Sequence, residues 1–210
     1  MAAQHQPALT SIEIRPLTVA ETGAAAAVLG RGMRDNPIHE RAFGSDSDRR
    51  EAALTRLFSA VLRLHVVAGT ILGAFSRGEL VGVCSMVPPG RCQPSGLEIL
   101  GLVPTLIGAG GLGSTLRVLR WSSSWAKHDP QEPHWHLGPV GVERPLQGQG
   151  VGAALLRAFC ARMDAAHATA YLETDKAQNV GLYEHFGFRT VAEDQVLGIT
   201  NWFMTRDARS

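Results

Sequence analysis

A chain of 210 residues is long enough for one sizeable core and short for two. Hydrophobic residues make up 45% and charged residues 19%, the balance of an ordinary globular protein. A net charge of +1 gives no global field for nucleic acid or an anionic membrane, so an anionic ligand must be held by a local device.

Residues 1–10 lack the basic start and apolar core of a signal peptide and read as a loose tail ahead of a single domain, 11–206. Ser11–Arg15 alternates polar and apolar residues, as an opening strand does. Thr18 with Glu21 has capping-box spacing, and an Ala-rich helix follows to about Arg34, ending at Asp35-Asn36-Pro37. Asp46 or Ser47 caps a second helix with Leu54, Leu57, Phe58, Val61 and Leu62 on one face. Val66–Phe75 and Leu80–Val87 read as a hairpin turning at Ser76-Arg77-Gly78-Glu79.

Residues 91–133 read as an insertion over the core, forming part of the wall on the substrate side. Within it Leu102–Leu112 is apolar and Gly-rich, Leu102–Gly113 is a candidate lid, and Thr115–Trp125 is a short helix. Trp121, Trp125 and Trp135 are either core residues or the lining of an acceptor pocket. No apolar run reads as long enough to span a bilayer. The pattern then sharpens into a strand (His134–Val142), a helix (Gly150–His167), a strand (Thr169–Thr174), a short helix (Val180–Phe186) and two strands (Phe188–Ala192, Val196–Met204). Hairpins with one strand–helix–strand crossover predict an α+β or mixed α/β sheet, parallel at the crossover. Cys84, Cys92 and Cys160, an odd count without CxxC spacing, argue for reduced thiols in a cytoplasm.

The most informative segment is Val140–Ala153. A strand ends at Val142, a polar loop follows, and a helix starts near Gly150 with Leu155, Leu156, Phe159 and Met163 on one face. Its N-terminus offers unpaired N–H donors and partial positive charge, and glycines let a diphosphate approach the backbone. Gly148-x-Gly150-x-x-Ala153 also fits a relaxed dinucleotide fingerprint, with Glu173 about twenty residues on. Against that, Glu143–Gln147 separate strand from glycine, and no repeated βαβ units precede the motif. A Walker-type loop fails for want of Gly-Lys-Ser/Thr. A purely structural turn is the remaining alternative.

Gln147-x-x-Gly150-x-Gly152 after Leu137–Val142, then Tyr171-Leu172-Glu173-Thr174, then Asn179-x-x-x-Tyr183-x-x-x-Gly187-Phe188, resembles in order and spacing the GNAT superfamily of N-acetyltransferases. The likeness runs from Ile12 to Thr205. It is nearest to the puromycin-type branch in Trp135-His136-Leu137, Leu172-Glu173-Thr174 with Asn179, and Asp35-Asn36-Pro37. Lys176 departs from the pattern, standing where many relatives carry an Asn seven residues before the tyrosine.

The resemblance implies a splayed sheet, mostly antiparallel and partly parallel, flanked by helices. It also implies acetyl-CoA as acyl donor, no metal, and direct attack by a primary amine of a small molecule in a ternary complex. Val140, Gly141 and Val142 would pair with the pantetheine arm, one strand N–H near Val140 would face the thioester carbonyl, and Gln147, Gly148, Gln149, Gly150, Val151, Gly152 and Ala153 would hold the diphosphate. Tyr183 is the expected proton donor to the thiolate, with an ordinary phenol pKa near ~10. Glu173 is either the base or an ordinary salt-bridged surface residue, and His136 is the other candidate base. His134 and His136 share a strand face, but an HxH pair lacks a third ligand. Glu143 reads as a solvated loop charge. Asn179 either caps the Tyr183 helix or reaches the cofactor. Two alternatives share the fold: acetylation of a protein N-terminus or lysine, and a non-catalytic acyl-CoA-binding module. Relatives often pair edge strands into homodimers, and Trp202 and Phe203 on the last strand are candidates for such a contact.

Overall fold

The computed structural model describes residues 11–208; the reading of 1–10 as a tail lies outside them. Seven strands form one sheet in the order β1 (Glu13–Pro16), β2 (Thr70–Ser76), β3 (Glu79–Val87), β4 (Trp135–Val142), β5 (Ala170–Thr174), β7 (Ile199–Arg206), β6 (Arg189–Val196). Every pairing is antiparallel except β4 with β5. The expected mixed sheet is therefore present. The last strand, however, is interior, bonded to β5 and to β6, so it offers no free edge for a dimer contact.

Helices α1 (Thr22–Met33), α2 (Pro37–Phe43), α3 (Ser47–Ala68) and α4 (Gly96–Ala126) belong to one face. There Leu29, Ile38, Leu54, Leu62, Trp121 and Tyr171 pack together. Helices α5 (Val151–Ala165) and α6 (Ala177–His185) cover the other, where Leu155, Phe159, Leu172, Tyr183 and Met204 meet. Amphipathic helices on two sides of one sheet thus build two apolar layers.

Local signals explain most boundaries. Thr18 and Glu21 do form a capping box, on a short 3-10 turn (Val19–Glu21) that leads into α1. Asp46 caps α3 by accepting from the N–H groups of Asp48 and Arg49. Pro37 does not merely end α1. It opens α2 at the first helical position, where its missing N–H costs nothing. Helix α3 runs on to Ala68, through the β-branched Val66 expected to open a strand, because packing outweighs that weak propensity.

The 91–133 segment is the main revision. It holds a helix from Gly96 to Ala126, capped by a Ser95–Glu98 box and broken only at Gly111, whose φ is 73°. By length and composition this helix could cross a membrane, contrary to the expectation that no stretch is long enough. Trp121 and Trp125 sit in the core, edge-on to one another.

A buried arginine joins the N-terminal helices. Arg50 donates to the carbonyls of Arg34 and Gly44, the latter at 2.6 Å, and meets Asp35 at 3.2 Å. Arg50→Ala strands two carbonyls at the ends of α1 and α2, and we expect a loss on the order of 3 kcal/mol in urea unfolding. A loss under about 1 kcal/mol would show that water replaces the guanidinium freely.

Candidate active site

The site begins where β4 and β5 part. They pair only at Trp135–Ala170 and His136–Tyr171. Opposite Ser85 of β3 the register slips by one residue over Gly138–Pro139, a bulge that twists β4 and reverses which face its side chains address. His136 therefore lies on the α1/α3 face, while Val140 and Val142 belong to the α5 layer. Val140, Gly141 and Val142 bond to β3 on one side, opposite Cys84, Val83 and Gly82. Among the described residues their other edge pairs with no strand, and an interior strand edge is a template for an extended ligand.

At the end of that edge lies the glycine turn. Gly148 (φ 75°) and Gly150 (φ 89°) adopt left-handed backbone that a side chain would strain, and a Cβ at either would point into open space. Gly150 is the N-cap of α5 and supplies no side-chain cap. The first backbone donation to Gly150 comes from Ala154, so the N–H groups of Val151, Gly152 and Ala153 lie ahead of the helical ladder. Three donors at a helix N-terminus fit a diphosphate.

The turn is stapled to α1. Glu143 is not a solvated charge: Arg31 grips it through two nitrogens, the closer pair at 2.5 Å. Arg144 pairs with Asp35. Gln147 donates its side-chain amide to Gly32 O (2.9 Å) and Val142 O (3.0 Å), and Gln149 donates its amide to Pro145 O (2.7 Å). Their side chains thus shape the loop. Gly32 permits this approach, since a Cβ there would meet Val142 O at 2.4 Å. None of the Arg31, Asp35 and Arg144 contacts was legible in the sequence, because each joins residues about a hundred positions apart.

At the fork, His136 Nε2 lies 2.7 Å from Glu173 Oε2, and the Glu173 side chain is almost fully buried. Burial pulls the imidazole pKa down, but the carboxylate charge and hydrogen bond outweigh it and carry it to about 8. A Cβ on Gly138 would lie 4.0 Å from His136 Nε2, so the ring leans toward the stretch of β4 that has left β5. Tyr171 packs edge-on to both His134 and His136. On the opposite face Tyr183 is buried against Phe188, and burial raises its phenol well above the usual range. It stays an O–H donor at neutral pH. Asn179 is the third residue of α6 and not its cap, a place taken by Lys176.

A family model for the acetyltransferase (GNAT) family matches residues 37–188. The chain belongs to that family. This GNAT chain is 25% identical over 173 residues to an N-acetyltransferase of Schizosaccharomyces pombe, an overlap of 78% of this chain and 69% of that protein. Among solved structures, it superposes on a histone acetyltransferase HPA2 and related acetyltransferase from Corynebacterium glutamicum with TM-score 0.73 and 26% identity, covering 96% and 98% of the two chains. A polyamine N-acetyltransferase of Drosophila melanogaster that forms N-acetylagmatine shares the fold, with TM-score 0.67 and 17% identity over 94% and 100%. The protein is an acetyl-CoA-dependent N-acetyltransferase, and the open edge and glycine turn fit that donor.

Gly150→Glu should abolish acetyl-CoA binding in calorimetry while the thermal unfolding midpoint stays within a few degrees. Gly152→Ala should bind within about threefold of wild type, because its Cβ meets only Val142 Cγ2 at an ordinary 3.8 Å. Equal affinities for wild type and Gly150→Glu would place the diphosphate elsewhere.

Proposed function

We propose that this acetyltransferase acts on a primary amine of a small molecule, with the His136–Glu173 pair taking the amine proton and Tyr183 supplying one to the departing thiolate. The observation that carries the reading is the 2.7 Å His136–Glu173 contact at the fork of β4 and β5, on the sheet face opposite Tyr183. Acetyl-CoA, when bound, supplies a thioester carbon open to attack and a thiol leaving group. Val140, Gly141 and Val142 would hold its arm along their free edge, and the N–H groups of Gly148, Gly150, Val151, Gly152 and Ala153 its diphosphate, with Gln147 and Gln149 shaping the turn. One N–H of β4 near Val140 would face the carbonyl oxygen as charge develops there. Asn179, whose side chain is not spent on capping, is free to reach the same ligand.

Glu173 fixes the imidazole with its proton on Nε2, leaving Nδ1 as the basic nitrogen. Separate faces keep the two proton transfers apart, so the base does not quench the donor. At the end of β5 a cavity of about 440 Å³, lined by Asp35, Pro37, Asp175, Lys176, Thr200 and Trp202, falls in the size range of small-molecule sites. The activity of the Drosophila neighbour on agmatine supports the same class of acceptor.

Because the base must be neutral, kcat/KM for an amine should rise with pH through about 8, as His136 loses its proton. Glu173→Gln removes the carboxylate that raises this pKa, so the limb should move to lower pH while kcat falls on the order of a hundredfold. Tyr183→Phe should lower kcat by a similar factor and leave acetyl-CoA affinity within about threefold. A profile unmoved by Glu173→Gln would remove the pair from the reaction. The same shift affects folding. The folded pKa is raised, so stabilisation by the pair is complete below about 6.5 and is lost as pH rises through about 8.

A further inference from the structure

Helix α4 divides at Gly111 into two parts with different surroundings. The second part packs Ser114, Thr115, Val118 and Trp121 into the core, whereas in the first only Leu106 is buried. Leu97 and Leu100 are 82% and 66% exposed. From Ile99 through Leu116 no residue is charged. A surface helix of a water-soluble domain turns a polar face outward, and this one has none to turn. Leaving such side chains in water forgoes their whole burial energy.

The neighbouring helix borders it with arginines, and its exposed acids Asp46 and Asp48 lie at its N-terminal end, where Asp46 pairs with Arg49 at 3.4 Å. Arg49, Arg56 and Arg63 recur every seventh residue, which places them on one stripe of α3, and all three are exposed. Arg56 donates to Gly108 O at 2.8 Å, so the stripe lies directly beside the bare part of α4. Arg117 donates to Ala42 O, which shows that α4 runs back along α2 and α3 in the opposite sense. Glu98, the one acid on the first part of α4, is engaged in the Ser95 cap.

We infer that the first half of α4 and the Arg49–Arg56–Arg63 stripe form a docking face for an anionic lipid surface. An uncharged apolar helix flanked by arginines has the physics of a helix lying in the headgroup region, its side chains among acyl chains and its cationic border on phosphates. The charge decides the occupant. A second copy meeting this face through a two-fold axis would set Arg56 and Arg63, which lie away from Asp46 and Asp48, near their own images. Neutral bilayers satisfy the leucines but not the arginines. The face lies on the α3 side of the sheet, away from the glycine turn at the start of α5.

The full-length chain is sedimented with vesicles of phosphatidylcholine alone and with vesicles containing one quarter phosphatidylglycerol. Binding is expected to the second and at least about tenfold weaker to the first, with loss in high salt. Leu97→Ser with Leu100→Ser should weaken it on the order of tenfold per leucine, and Arg56→Gln with Arg63→Gln about fivefold per arginine. All four positions are exposed, so acetyl-CoA affinity should be unchanged and serves as the folding control. Wild type remaining in the supernatant with both vesicles overturns the inference. So does binding insensitive to the leucine pair, or a dimer in velocity sedimentation that the leucine pair dissociates, which would assign the face to a second copy.

Discussion

Two parallel strands that bond for two residues and then separate set the terms for everything else in this protein. Backbone N–H and C=O groups in an interior demand partners, and beyond His136 and Tyr171 the strands no longer provide them to each other. Unpaired strand edges are usually hidden or blunted. Here the fork is preserved, because the bulge at Gly138–Pro139 turns β4 away while its other edge stays locked to β3. The fork thus leaves an open backbone edge beside the glycine turn.

Holding a fork open requires bracing from outside it. Helix α1 does this at short range, with Gly32 set against the Val142 carbonyl and Gln147 reaching back to both. Arg31–Glu143 and Arg144–Asp35 then tie the loop to the end of the same helix. Asp35 is shared with the buried Arg50, so the carbonyl ends of α1 and α2 and the entrance to the glycine turn form one connected charge network. Exposed ion pairs alone are weak, but a network anchored on a buried guanidinium is harder to dissolve. Asp175 adds a further tie, accepting from Ile38 N at 2.7 Å and so fixing the start of α2 beside the end of β5.

The fork also separates environments. On one face a carboxylate and an imidazole share a proton in a buried setting; on the other a phenol is buried edge-on to Phe188. Low polarity affects the two in opposite ways: it holds the phenol protonated, while the paired charge of Glu173 keeps the imidazole protonatable. A single sheet thereby carries on its two faces groups with different proton affinities.

How much of this could be read in advance depends on range. The glycine turn, the helix behind it, the hairpin, the Thr18–Glu21 and Asp46 caps and the Tyr183 helix were legible because each rests on contacts within a few residues. Their order carried the family resemblance. The sequence did not show that His136 and Glu173 touch, that Glu143 is gripped by Arg31, or that β7 lies inside the sheet, since these depend on which strands become neighbours. Nor did it reveal one long helix at 96–126: glycines and Pro104 weaken the local helical signal, and packing of Val118 and Trp121 on the core settles the second half. By itself the sequence determined the glycine turn ahead of α5, because left-handed glycines before an amphipathic helix are a local property of the chain. Only the tertiary structure decided the His136–Glu173 contact and the bare face of α4, because burial and charge pairing are properties of what the fold brings together.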